Sequence, residues 1–324
     1  MRSRSGSVRE RFGGPRHWHV DASLTLVAVA WGSTYWVAKE LVTQHTVLSL
    51  LAVRMLLAAA VLGLIVILRG RRLRAREVGV GALLGALLAT VFLLETFGIA
   101  GTTATNAGLI ISLTIVLTPL LEQALGGARL SRWFYLAALV AVVGVYLLSS
   151  GGLTGGFGLG DALVLAAAAI RAVHVVTMHR TSSGTSQDSF SLTFVQMATC
   201  AVIFLVTASV WGTPLPAYVA SLERTAVLQL LYLVVACTVF PFFVQMWAVR
   251  RTSPTRVSLL LGTEPVWAAL IGVTLAGDAF GPAGLVGIAL VILGVQWGQG
   301  IESRRRRARV GAGLTSDEPV PAQT

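Results

Sequence analysis

The sequence predicts an all-α polytopic membrane protein of ten transmembrane helices, built as two five-helix repeats of inverted topology. Three observations predict it: long apolar runs, a one-sided distribution of basic residues, and an internal repeat. The 324 residues are 55% hydrophobic and only 12% charged, and the mean hydropathy is +0.77. So few polar residues cannot cover the surface of a soluble protein of this size.

The apolar runs are about 20 residues long, which is the length that a helix needs to cross the hydrocarbon core of a bilayer. The runs are continuous, whereas the strands of a membrane β-barrel alternate in polarity. We predict ten spans, which cover residues 23–42, 47–68, 79–98, 104–125, 133–150, 160–178, 190–211, 227–249, 257–276 and 283–301.

Positive charge tests this scheme, because cytoplasmic loops of membrane proteins are enriched in Lys and Arg. With the N-terminus inside, 21 of the 25 basic residues fall in the tails and the inner loops. Lys39 and Arg224 fall on the outer side, and Arg54 and Arg171 fall within spans. We therefore predict a multi-pass protein of the cytoplasmic (inner) membrane with both termini cytoplasmic. The basic clusters lie beside apolar runs, which favours contact with membrane lipid and gives no indication of nucleic-acid binding.

The second half of the sequence resembles the first. From Leu125 to Val145 the two halves match at a constant offset of 150 residues, which pairs Gly144 with Gly294. Five helices per repeat is an odd number, so the second repeat enters the membrane in the opposite orientation, as in carriers that work by alternating access. The predicted segments are a basic N-tail (1–22), a first repeat (23–150), a Gly-rich linker (151–159), a second repeat (160–301) and a basic C-tail (302–324).

Charged side chains inside a bilayer are costly unless they are paired or hydrated, so they are the first candidates for a functional site. Glu264 lies near the middle of span 9, directly before Pro265. Arg171 lies near the centre of span 6, with His174 one turn further on the same face. A Glu264–Arg171 pair, or a protonatable Glu264, would serve proton coupling or ligand binding. A fixed structural ion pair is the equally weighted alternative.

Other polar and helix-breaking residues in the spans are weaker candidates. Arg54 and Glu95 lie toward the outer side of spans 2 and 3, where they could pair as a structural clamp, which we favour, or as an outer gate. Pro119 and Pro265 are candidate hinges, because proline removes a backbone donor and disturbs the preceding turn.

Span 1 carries Trp31, Thr34 and Tyr35 on one stripe at helical spacing, and Asn106 lies in span 4. These side chains could line a substrate cavity. Alternatively, they anchor the membrane interface or bond a neighbouring helix. The spacings Gly81-x-x-x-Gly85 and Gly284-x-x-Gly287 are typical of helix packing.

The sequence contains no Gly-x-Ser-x-Gly, His-Glu-x-x-His or Walker A pattern, so we predict no catalytic residues and no cofactor. Cys200 and Cys237 fall inside predicted spans, and no Cys/His pair has the spacing of metal ligands. Without a nucleotide site, a gradient would drive any transport, and protons are the candidate coupling ion.

Several segments resemble, in order, those of a known family. They are Trp31-Gly-Ser-Thr-Tyr-Trp-Val-Ala-Lys39, Arg54-Met-Leu-Leu-Ala-Ala, Thr103-Ala-Thr-Asn-Ala, Pro119-Leu-Leu, Gly160-Asp161-Ala-Leu, Pro265 and Gly294-Val. Over about residues 23–149 and 159–299, the chain resembles the ten-helix EamA family of the drug/metabolite transporter superfamily. The family has Leu-Gly-Glu before the last helix of each repeat, where this chain has Gly127-Ala128 and Gly277-Asp278. The resemblance implies export of small metabolites, amino acids or drugs through a central cavity.

Two other functions compete with a secondary carrier. A membrane-embedded enzyme acting on lipid would use Arg54, Glu95 or His174 and would need polar clusters at one membrane face. A non-transporting accessory protein would tolerate replacement of Glu264 and Arg171. The inverted repeat and the charges within spans favour the carrier.

Overall fold

The computed structural model describes residues 18–126, 129–150, 157–182, 187–249 and 261–311. Within these ranges the chain forms helices and short connections, and it contains no β-strand. Most of the predicted N-tail and linker, the first part of predicted span 9 and the end of the C-tail lie outside the described residues.

The helices follow the predicted apolar runs. The helices of the first half are α1 (Trp18–Leu41), α2 (Val47–Leu68), α3 (Ala75–Gly101), α4 (Ala104–Ile111), α5 (Thr114–Ala124) and α6 (Arg132–Ser150). Those of the second half are α7 (Leu159–Ser182), α8 (Ser189–Trp211), α9 (Leu215–Ala220), α10 (Arg224–Val234), α11 (Phe240–Val249), α12 (Glu264–Thr274) and α13 (Pro282–Gly311). A π-helical turn, Val235–Val239, joins α10 to α11.

Seven helical stretches of the described chain are long and apolar enough to cross a membrane. They are Val47–Leu68, Ala75–Gly101, Ala104–Ala124, Leu159–Met178, Ser189–Trp211, Arg224–Val244 and Pro282–Ile301, and two shorter apolar helices are Arg132–Leu148 and Glu264–Thr274. The all-helical membrane class is therefore confirmed, whereas the ten spans and their inverted orientation remain predictions.

Predicted span 4 is divided into α4 and α5 by a turn at Ser112 and Leu113. The Ser112 and Thr114 hydroxyls donate to the carbonyls of Leu109 and Ile111 at 2.6 and 2.8 Å, and such side-chain bonds compete with regular helix. The break thus precedes the predicted hinge residue, Pro119, which lies inside α5.

The second candidate hinge, Pro265, lies in the first turn of α12, which begins at Glu264. Proline is tolerated at this position, because the amide that it lacks would have no partner within the helix. The chain immediately before it, Gly262 and Thr263, forms a turn. The interruption in this predicted span therefore lies just before Glu264 and places that side chain at a helix N-terminus.

Helices from the two halves interleave around one apolar core. α2 packs on α8, α3 packs on both α7 and α8, α1 packs on α11 and α12, and α6 packs on α13. Glycines allow close approach: a Cβ added at Gly81 would lie 2.7 Å from Val195 Cβ, and one at Gly85 would lie 2.7 Å from Thr199 Cβ. At Gly287, an added Cβ would lie 2.7 Å from Gly144 O. These three glycines therefore pack helices together, as their spacing predicted.

Candidate functional site

Four ionisable side chains from four helices converge where the two halves meet. They are Tyr35 of α1, Glu95 of α3, Arg171 of α7 and Glu264 of α12, which we call the charge cluster. Tyr35 and Glu95 are only 2% and 6% exposed, and the other two are half-buried. Groups of this kind rarely lie inside apolar helical bundles unless they serve a function.

Tyr35 and Glu264 form the direct contact of the charge cluster. The Tyr35 hydroxyl donates to Glu264 Oε1 at 2.7 Å. Glu264 is the acidic residue of the first turn of α12, where unpaired amide groups and the helix dipole favour a negative charge. Glu95 also interacts with Tyr35, so that two carboxyl groups approach one phenol hydroxyl.

Arg171 lies beside an aromatic ring. Its guanidinium carbon lies 5.2 Å from the centroid of the Trp31 ring, within the range of a cation–π interaction. Glu264 and Glu95 both attract it electrostatically. Among the described residues, the ion pair with a nitrogen–oxygen distance below 4.0 Å joins Arg71 Nη2 to Asp188 Oδ1, at 3.7 Å. The expected Glu264–Arg171 pairing is therefore a longer-range attraction and not a contact ion pair.

Trp31 belongs to an apolar wall beside Arg171. Its ring packs edge-on against Phe242 of α11, with 6.1 Å between the ring centroids. Leu24, Val27 and Val244 complete the buried part of this wall. The site therefore combines charged groups with an aromatic surface.

Arg54 is tethered elsewhere. Its Nε donates to Thr238 Oγ1 at 3.1 Å, and its guanidinium carbon lies 5.3 Å from the Phe92 ring centroid. Thr238 lies in the π-helical turn and in turn donates to the carbonyl of Leu233 at 2.8 Å. Arg54 and Glu95 attract each other without a contact ion pair. No feature of the sequence predicts the π-helical turn, although such turns are common at functional sites.

The remaining candidates make other bonds. His174 Nε2 lies 3.2 Å from Gln196 Oε1, and both side chains are buried. The Thr34 hydroxyl donates to Ala30 O, within its own helix, at 3.1 Å. Asn106 Nδ2 donates to Asp161 Oδ1 at 3.2 Å, at the corner between α3 and α4. Asn106 thus bonds into a separate network.

That corner is fixed by a cation that was not among the predicted site residues. Lys39 Nζ donates to the carbonyls of Ile99, Ala100 and Thr102 at 3.0, 3.3 and 2.6 Å. A positive charge at a helix C-terminus satisfies carbonyls that have no partner within the helix. The end of α1 is therefore locked to the end of α3.

The described residues contain no group of three or more His, Cys, Asp or Glu side chains that could hold a metal ion. The charge cluster mixes a guanidinium with two carboxyl groups and a phenol, which suits the binding of protons or charged organic molecules.

Comparisons with known proteins find a family model and relatives that the chain resembles over most of its length. The model of the EamA-like transporter family matches the chain twice, over residues 20–150 and 158–297. An uncharacterized transporter of Archaeoglobus fulgidus is 26% identical over 288 residues, which cover 87% of this chain and 86% of the relative. An uncharacterized inner membrane transporter of Escherichia coli K12, YedA, is 24% identical over 275 residues, which cover 84% of this chain and 88% of the relative.

A crystal structure with 19% sequence identity shares the fold, with a TM-score of 0.58 over 89% of this chain and 98% of that chain. The family model covers most of the chain as two repeats. This chain therefore belongs to the EamA-like transporter family and is a multi-pass membrane transporter.

Proposed function

We propose that the protein is a secondary transporter that exports a small metabolite, amino acid or drug across the cytoplasmic membrane. It works by alternating access around the charge cluster. The observation that carries this proposal is the Tyr35–Glu264 hydrogen bond, at 2.7 Å, beside Arg171 and Glu95. The residues of the charge cluster come from both repeats, so a movement of one repeat against the other alters the cluster directly.

The packing of the helices supports a pseudo-twofold relation between the two repeats, whose opposite orientation we infer from the odd number of helices in each. The third membrane helix of each repeat is α3 in the first and α10 with α11 in the second, and the first membrane helix is α1 and α7, respectively. The contact of α3 with α7 is therefore equivalent to the contact of α10 and α11 with α1, and both contacts occur. The contact of α3 with α8 likewise becomes that of α10 with α2, which also occurs. The pairs α2–α8 and α6–α13 map onto themselves. Such symmetry gives the two halves equivalent roles, as exchange between inward-open and outward-open states requires.

The arrangement of the two carboxyl groups supports protons as the coupling ion. Glu264 and Glu95 both interact with the Tyr35 hydroxyl, and they repel each other when both are ionised. A proton on either carboxyl group removes that repulsion and strengthens the net positive field of Arg171. Protonation therefore changes how the cluster holds a charged substrate.

Counterflow in proteoliposomes tests the proposal. Proteoliposomes that contain the purified protein are preloaded with an unlabelled amino acid, nucleobase or lipophilic cation, and uptake of the same compound in labelled form is measured with and without a pH gradient. We expect uptake of at least one of them, and we expect Glu264→Gln to lower it by about tenfold or more, because a charge-assisted contact is lost. The matched control is Glu40→Gln, which changes an exposed carboxyl group at the end of α1.

Two results would contradict the proposal. Equal counterflow by wild type and Glu264→Gln would exclude the charge cluster from transport. If folded protein took up none of the labelled compounds, this result would contradict the carrier function and would redirect the search to lipid substrates. A pH-gradient response that Glu264→Gln abolishes would add proton coupling to the carrier function.

A further inference from the structure

The charge cluster also indicates the class of substrate, an inference that rests on the proposed function. We infer that Arg171 receives the carboxylate of a small organic acid whose apolar body lies against Trp31 and Phe242.

The first step is the bonding of Arg171 itself. A guanidinium has five N–H donors in one plane, and the guanidinium carbon of Arg171 lies 5.2 Å from the centroid of the Trp31 ring. Among the described residues, Arg171 makes no hydrogen bond and no ion pair closer than 4.0 Å. The Arg54 guanidinium, in contrast, donates to Thr238 at 3.1 Å. Arg171 therefore keeps its donor edge for a group that is not part of this network.

The second step is the bonding of the neighbouring carboxyl groups. Glu264 accepts a hydrogen bond from the Tyr35 hydroxyl at 2.7 Å, and Glu95 also interacts with Tyr35. Both attract Arg171 from beyond contact distance. A carboxylate brought by the substrate can therefore form the bidentate contact with Arg171 that neither glutamate makes.

The third step is a difference between the repeats. Asp21-Ala22 near the start of α1 matches Asp161-Ala162 near the start of α7, and the tenth residue after each Asp is Trp31 and Arg171, respectively. Equivalent positions of the two repeats thus carry an indole and a guanidinium, which face each other across the site. This asymmetry suits a ligand with one apolar end and one anionic end.

The fourth step is the apolar wall. The edge-on pair of Trp31 and Phe242, with centroids 6.1 Å apart, offers an aromatic surface to the body of the ligand. Such contacts add affinity through burial of apolar area. An aryl or branched aliphatic body next to a carboxylate fits both features.

Three probes that share a phenylethyl group test this assignment by calorimetric titration of the detergent-purified protein. 3-Phenylpropanoate carries only the carboxylate, 2-phenylethylamine carries only the ammonium group, and phenylalanine carries both. We expect 3-phenylpropanoate to bind and 2-phenylethylamine not to bind. Tighter binding of phenylalanine than of 3-phenylpropanoate would identify a zwitterionic substrate, and the reverse would identify a simple anion.

Variants of α7 localise the contact. Arg171→Gln should weaken binding of 3-phenylpropanoate by roughly 10- to 100-fold, because a charge-assisted bidentate contact is lost. Arg171→Lys should keep part of the affinity, since it retains the charge and loses the planar fork. Arg180→Gln, which changes an exposed arginine on the same helix, should leave binding unchanged.

Thermal unfolding of each variant shows whether it is folded, and Arg171→Lys serves as the test if Arg171→Gln is not. Binding of 2-phenylethylamine by a protein that does not bind 3-phenylpropanoate would overturn the assignment. It would also be overturned if the Arg171 variants bound 3-phenylpropanoate as tightly as the wild type does. Failure of all three probes would overturn it as well. Counterflow of an amine that depends on Glu264 would then leave the carrier proposal intact while this inference fails.

Discussion

The Tyr35 hydroxyl of α1 donates a 2.7 Å hydrogen bond to Glu264 Oε1 at the N-terminus of α12. This bond ties the first repeat to the second inside the apolar core. Tyr35 is 2% exposed, so water cannot easily replace the phenol if it is lost.

Tyr35→Phe removes the hydroxyl and keeps the ring. We expect the free energy of unfolding to fall by about 1–3 kcal/mol, because a half-buried carboxyl group inside the helical bundle loses its hydrogen-bond donor. Counterflow should fall as well, because Glu264 is no longer positioned. Thermal unfolding in detergent and counterflow in proteoliposomes measure the two effects. Tyr146→Phe, at a tyrosine that is 68% exposed, is the control that should change neither, and equal behaviour of the two variants would contradict the prediction.

The positions of the membrane helices follow from the sequence because the apolar runs have a physical length requirement. Span 2 was predicted at 47–68, and α2 is Val47–Leu68. The breaks inside spans were not predicted, because hydroxyl bonds to the backbone, such as that of Ser112, leave no mark on hydropathy. α13 continues to Gly311, beyond the predicted end at residue 301, because arginine is a good helix former outside the membrane too.

Gly108 of α4 lies where α4 packs closely against both α1 and α12. A Cβ added there would collide with the Ala268 Cβ and would lie 2.9 Å from Tyr35 Cδ2. Gly108→Ala should therefore lower the free energy of unfolding by about 1–3 kcal/mol through overpacking and should displace Tyr35 from Glu264.

Gly79→Ala on α3 is the matched control for that substitution, because a Cβ at Gly79 meets nothing within 4 Å. Alanine is the better helix former, so this variant should be as stable as the wild type or more stable by up to about 1 kcal/mol. Thermal unfolding and counterflow of both variants check the prediction. Full activity and stability of Gly108→Ala would show that α4 and α12 can separate at this point without cost.

Tyr218 of the short helix α9 is buried, and its hydroxyl has no hydrogen-bond partner among the described residues. Burial raises the pKa of this phenol to about 12. The folded state therefore holds the phenol proton more tightly than the unfolded state, whose tyrosines titrate near pH 10. The stability due to this proton is complete below about pH 10 and is lost as the pH rises toward about 12.

Tyr218→Phe should remove this alkaline loss of stability and should leave the protein as stable at neutral pH, or more stable by about 1 kcal/mol. Thermal unfolding between pH 7 and the highest pH that the detergent complex tolerates measures both effects. Tyr232→Phe is the contrasting variant, because its hydroxyl lies 2.8 Å from Ser33 Oγ, and it should be less stable than wild type at neutral pH. A loss of stability in Tyr218→Phe at neutral pH would show that the hydroxyl has a partner.

Several members of the site could be predicted one by one, but their partners could not. Glu264, Arg171, Tyr35 and Glu95 stand out because charged and phenolic groups are rare in spans. Their pairing depends on how helices from different repeats rotate against each other, which periodicity within one helix does not specify. The capping of α3 by Lys39 was missed for the same reason, since it joins residues that are 60 or more positions apart.

The inverted orientation that we propose for the repeats makes a prediction about two corresponding loops. Arg72 lies between the second and third helices of the first repeat, and Glu223 lies between the second and third membrane helices of the second repeat. Both side chains are exposed, and the two native cysteines, Cys200 and Cys237, are buried. In intact cells, a membrane-impermeant maleimide should label Glu223→Cys from outside and should leave Arg72→Cys unlabelled, since we expect the arginine-rich loop to lie inside. Permeabilised cells, the control, should label both thiols. Labelling of both variants, or of neither, in intact cells would place the two loops on one side and would contradict the inverted repeat.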